Sequence, residues 1–108
     1  MTSMPAVIHP AAQPPDVVMA SRVFGNTVRL EIIRALGRGP GRRAEIVDRT
    51  GLTADTLTPQ LRELHEVGVV HIETLPGRGR PVLYTLDTTR TRTLMDALNT
   101  YVLSSAQT

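Results

Sequence analysis

Apolar residues recur along this chain with two periods, and the change from one to the other divides it. Leu57, Leu61 and Leu64 stand at i, i+4 and i+7, the inward stripe of a helix over about 53–67, with Asp55, Thr58, Pro59 and Arg62 on its far side. Before it, Ile46 and Val47 give a shorter helix its inward face. Gly51, after Thr50, suits a left-handed helix end, and Thr53 offers an oxygen to cap the longer helix. Helix, glycine, cap and helix in that order make a helix-turn-helix.

Past Gly68 the period falls to two. Val70, Ile72 and Thr74 alternate with Val69, His71 and Glu73, and Val82, Tyr84 and Leu86 with Leu83 and Thr85, predicting two strands. PGRGRP, residues 76–81, lies between them and puts Arg78 and Arg80 at a hairpin tip.

Upstream, Asp16 is the expected cap of a helix to about Phe24, with Val17, Ala20, Val23 and Phe24 on one face. Gly25 and Asn26 break it, and Asn26 or Thr27 starts TVRLEIIRAL. Val28, Ile32 and Ala35, flanked by Leu30, Ile33 and Leu36, make that helix so apolar that it is expected to be largely enclosed. Its Arg29 and Arg34 are expected to reach solvent or pair near Glu31. GRGPGRR, residues 37–43, is a loop that brings Arg38, Arg42 and Arg43 to the next helix, where positive charge opposes the helix dipole unless it faces an anion. Downstream, Asp87 or Thr88 caps a last helix with Leu94, Leu98, Tyr101 and Val102 on one face, widened by Met95, Ala97 and Leu103.

The architecture expected is mainly α with a small β-hairpin wing: a winged helix-turn-helix of about five helices and a two-stranded wing. Residues 16–105 form one domain with terminal dimerisation helices, preceded by a disordered proline-rich tail over 1–15. A chain of this length buries roughly 65% of its unfolded surface, and a partner subunit would add to a modest core. Val17, Ala20, Phe24, Leu94, Leu98, Tyr101 and Val102 are the expected interface with a second copy.

Composition narrows the chemistry. There is no cysteine, which removes disulfides, thiol switching and thiolate metal ligation. His9, His65 and His71 fall on three elements without ligand spacing, so neither a metal nor another cofactor is expected. No nucleophile–His–acid pattern and no glycine loop with a phosphate-binding lysine is present, so no catalytic residue is assigned. No stretch approaches the ~20 apolar residues of a membrane span, and a cytoplasmic protein is expected.

Charge points to nucleic acid by placement. The net charge is only +2, yet all twelve basic residues are arginine. A GC-rich coding sequence explains that equally well, but the planar arginine fork suits phosphate and groove contacts. The expected DNA contacts are Arg42 and Arg43 before the helix-turn-helix, then Thr53, Asp55, Thr56, Thr58, Gln60 and Arg62 on helix 53–67, with Gln60 reaching an adenine. Arg78 and Arg80 on wing 75–81 complete the set, at the minor groove or at phosphates. Pro59 should bend the recognition helix.

From Ala20 to Leu86 the chain resembles the ArsR-type winged helix-turn-helix regulators. FGNTVRLEIIRAL is similar to their opening helix, TLTPQLRELHEVGVV to their recognition helix and GRGRPVLYTL to their wing; the middle stretch is shared with MarR-type regulators. The resemblance implies a dimeric repressor released from double-stranded DNA by a signal, which the sequence does not identify. Metal-sensing members carry cysteines before the turn, or Asp and His on the last helix, where this chain offers only Asp96. A second reading is a winged-helix module that docks on protein, because Asp55, Glu63 and Glu66 give the recognition helix an acidic side.

Overall fold

In the computed structural model, residues 13–106 are described. They fold as α1 (Pro15–Phe24), α2 (Thr27–Leu36), α3 (Arg43–Thr50), α4 (Ala54–Glu66), β1 (Val70–Thr74), β2 (Val82–Leu86) and α5 (Thr88–Leu103), with a 3-10 turn at Ser104–Ala106. The expected tail lies outside the described residues up to position 12. Five helices and one antiparallel hairpin are the winged helix-turn-helix predicted from periodicity.

The caps explain where the helices begin. Asn26 accepts from the Arg29 N–H at 3.0 Å, Thr53 from the Thr56 N–H at 3.2 Å and Asp87 from the Arg90 N–H at 2.8 Å, each satisfying an N–H that the first turn leaves without a partner. Asp16 does not cap α1. The chain enters that helix through Pro14 and Pro15, whose fixed φ suits a first turn, and Asp16 lies inside it. At the other end of the helix-turn-helix, Gly68 (φ 86°) closes α4: its N–H bonds the His65 carbonyl at 3.0 Å and the Val69 N–H bonds that of Leu64 at 2.9 Å. This paired closure turns the chain sharply into the wing.

Ile32, Ile46, Leu57, Leu61, Leu64, Val69, Val70 and Leu94 are enclosed where α2, α3, α4 and α5 meet the base of the hairpin. Enclosing each such side chain contributes about 1.5–3 kcal/mol before entropy is counted. In the hairpin Val70 pairs with Leu86, Ile72 with Tyr84 and Thr74 with Val82, the faces that alternation predicted. The loop before α3 also joins the sheet, which the sequence did not reveal. Gly41 exchanges two backbone hydrogen bonds with Tyr84, at 3.0 and 2.9 Å, as a one-residue third strand.

The second helix is largely enclosed through Ile32, Ala35 and Leu36, although Leu30 is 42% exposed. One expectation about apolar surfaces changes. Among the residues assigned to an interface between copies, Ala20 and Leu94 have no exposed surface and Val17 only 5%, because α1 packs along α5 within one protomer and uses them up. They have nothing left to give a partner. Phe24 and Leu98 are half-buried, whereas Tyr101 and Val102 are exposed, together with Met95 and Leu103.

Candidate nucleic-acid interface

Burying Leu57, Leu61 and Leu64 turns the opposite side of α4 outward, so Asp55, Thr56, Pro59, Arg62 and Glu66 are all exposed. The helix runs unbroken from Ala54 to Glu66 through Pro59. Thr53 and Thr56 are partly occupied by the cap, with their hydroxyls 3.0 Å apart. The Thr58 hydroxyl donates to the Ala54 carbonyl at 3.0 Å and accepts from Arg43 at 3.1 Å, which ties the start of α3 to the flank of α4.

The other flank is tied as well. Arg29 donates through Nε to the Gln60 side-chain oxygen at 2.7 Å, and Arg22 pairs with Glu63. Arg29 therefore does not pair near Glu31, and one of the two lone pairs of the Gln60 amide oxygen is taken. The acidic side of α4 is also weaker than its sequence implies, since Glu63 has a cation of its own and Asp55 stands in the first turn, where the helix dipole favours it.

Arg42 occupies the cap position of α3 and has no side-chain acceptor to offer. Its backbone N–H instead donates to Glu45 Oε1 at 2.8 Å, which leaves the guanidinium outside the helix. There the start of α3 meets the wing. Arg42, Arg43, Arg80, Pro81 and Tyr84 line a cleft of about 290 Å³. The tip is closed by the Leu75 N–H on the Pro81 carbonyl at 2.7 Å and the Arg80 N–H on that of Gly77 at 3.2 Å. Arg80 itself sits at φ 47°, a conformation rare for a residue with a side chain. Arg42, Arg62, Arg78 and Arg80 are exposed and have no side-chain partner among the described residues, and Arg42 and Arg80 share the cleft at the edge where α3 meets the wing.

The sequence reading missed the arginines that hold this edge in place. Arg49 on α3 donates to the Gly39 carbonyl at 2.8 Å and the Pro40 carbonyl at 3.3 Å, fixing the loop that pairs with Tyr84. Arg90 on α5 donates to the Val67 carbonyl at 3.0 Å, at the end of α4, and stands 3.6 Å from Asp16. At the wing root, His71 Nε2 lies 2.7 Å from Asp87 Oδ2. The Arg90 N–H, and then the His71 side chain, hold the Asp87 carboxyl below the usual carboxylate range. His65 bonds the Val70 carbonyl at 3.0 Å, and no three His, Asp or Glu side chains gather as metal ligands among the described residues; His9 lies outside them. No helix among the described residues is long and apolar enough to cross a membrane.

Residues 23–104 match the family described as HxlR-like helix-turn-helix. No curated protein matches the sequence. Solved structures of the same fold include diamide-treated YodB from B. subtilis, at 24% identity and TM-score 0.69, covering 89% of this chain and 96% of that one. An ArsR-like transcriptional regulator from Rhodococcus sp. RHA1 matches at 16% identity and TM-score 0.69 over 85% of this chain and 84% of its own. The transcriptional repressor BigR from Xylella fastidiosa matches at 21% identity and TM-score 0.61 over 82% and 85%. These neighbours carry the architecture that the ArsR-type resemblance implied.

Proposed function

The chain belongs to the HxlR-like helix-turn-helix family and is a DNA-binding transcriptional regulator, and from that premise we propose that it acts as a homodimeric repressor. In this reading α4 enters the major groove through Thr56, Thr58 and Arg62, while Arg78 and Arg80 reach the minor groove or its phosphates. Arg42 and Arg43 grip the backbone between them. The observation that carries it is the set of exposed arginines without side-chain partners at the start of α3 (Arg42), on α4 (Arg62) and on the wing (Arg78 and Arg80), of which Arg42 and Arg80 share one cleft.

Support for a dimer comes from an apolar groove of about 510 Å³ lined by Phe24, Leu30, Met95, Leu98, Val102 and Leu103. Exposed aliphatic side chains gathered on one face gain most by covering one another around a two-fold axis. Two α4 helices related by that axis would read half-sites about one helical turn (~34 Å) apart.

Selection of bound duplexes from a random pool tests this. The expected product is an inverted repeat, and Tyr101→Asp combined with Val102→Asp should sediment as a folded monomer that recovers none. If no duplex is retained at low salt, the protein-docking reading replaces this one.

A further inference from the structure

Arg90, in the first turn of α5, directs its three side-chain nitrogens to three different places. Nε donates to the Val67 carbonyl at 3.0 Å, at the end of α4, where helix carbonyls lack partners of their own. Nη2 lies 3.1 Å from the Met19 sulfur and Nη1 3.6 Å from Asp16, both on α1. The stem passes beneath Gly68, where an added Cβ would stand 3.5 Å from Arg90 Cγ. Asp87 caps the Arg90 N–H, and its own N–H bonds the Val69 carbonyl at 2.8 Å. The fork is thus held in one orientation at the corner where α4 turns into the wing, and its charge suits the negative end of the α4 dipole.

Helix α4 packs on α2, α3 and β1, whereas α1 packs along α5. The apolar groove proposed to meet a second copy is lined mainly by α5. The angle between the recognition helix and that groove is therefore set by the packing of α2 and by Arg90. A further tie, Arg22 to Glu63, is solvent-exposed on both sides and contributes little. With 13 residues α4 is ~20 Å long, so a tilt of about 10° about its Val67 end swings its first turn by roughly 3.5 Å, close to the rise of one base pair.

We propose that Arg90 is a positioning residue that fixes the tilt of α4 on the α1–α5 pair and so sets the half-site spacing that the protein accepts. The proposal rests on the reading of a dimer whose two α4 helices enter the major groove. In that reading Thr56, Thr58 and Arg62 meet the bases from α4 itself. A change at Arg90 therefore leaves the half-site sequence alone and moves only the place of the second half-site.

Duplex selection on the full chain supplies the half-site and its spacing. Affinity is then measured for that duplex, and with one base pair inserted or removed, using the unaltered chain, Arg90→Lys, and Asp16→Asn combined with Met19→Leu. The unaltered chain should lose at least roughly tenfold on either change, the size of one good base contact. Arg90→Lys keeps a stem beneath Gly68 and a charge at the end of α4, but offers one nitrogen in place of a rigid fork; it should sediment as a dimer, select the same half-site and lose less than about threefold. The double variant loosens only the α1 side of the fork and should fall between.

A spacing penalty in Arg90→Lys equal to that of the unaltered chain would overturn the proposal. So would an unaltered chain indifferent to spacing, or a changed half-site, which would make Arg90 a determinant of base choice. Should Arg90→Lys not fold, an unchanged penalty in the double variant overturns it alone. Selection of single half-sites by the unaltered chain removes the dimer reading, and retention of no duplex removes the DNA reading; the selected product tells each apart from failure of the Arg90 proposal.

Discussion

The recognition helix and the wing both aim arginine at the same proposed partner, yet they are held in opposite ways. Helix α4 is fastened underneath by three buried leucines, at its start by Thr53 and along both flanks by Arg43, Arg29 and Arg22. The wing is fastened at its root, by Val70, the Gly41–Tyr84 pairing and the His71–Asp87 contact, while the tip is exposed. An element that discriminates bases must hold its side chains in fixed directions. One that grips phosphate needs only charge within reach. Damage to α4 should therefore appear first as lost folding, and damage to the wing tip as lost binding.

Leu61→Ala should break the comparison hardest on the α4 side, lowering stability by about 2–5 kcal/mol in denaturant titration, because the leucine is almost wholly enclosed. Arg78→Ala with Arg80→Ala should weaken DNA binding and lower its salt slope by about one per lost phosphate contact, with thermal unfolding unchanged. Unchanged affinity would remove the wing from the interface. Thr53→Ala should cost about 1 kcal/mol of stability, since it frees the Thr56 N–H.

The smallest effect concerns pH. The Asp87 carboxyl titrates below its ordinary range in the folded protein, so its stabilising contribution is present above that range and is lost as pH falls through the lowered value. Asp87→Asn, which still caps α5, should flatten the acid limb of a melting-temperature profile. An unaltered acid limb would show that other carboxylates set it.

Elements and caps were legible because they depend on near neighbours: the Leu57, Leu61 and Leu64 stripe, Gly51 at φ 75°, Asn26, Thr53 and Asp87. The hairpin faces followed from strict alternation. Contacts between distant residues were not legible. Arg29 with Gln60, Arg22 with Glu63, and Arg90 with Val67 join positions 23 to 41 apart, and nothing in the local pattern marks which arginine will turn inward. The same holds for Ala20 and Leu94. A periodic face shows that a helix buries something, but only the fold decides whether its own domain or a partner covers it.

Affinity for a selected duplex, measured from about 50 to about 200 mM salt, tests the central claim most directly. With Arg42, Arg43, Arg78 and Arg80 on phosphates in both protomers, log affinity should fall linearly with log salt at a slope of about −7. A slope near zero would contradict the account, because the arginine edge would then release no counterions.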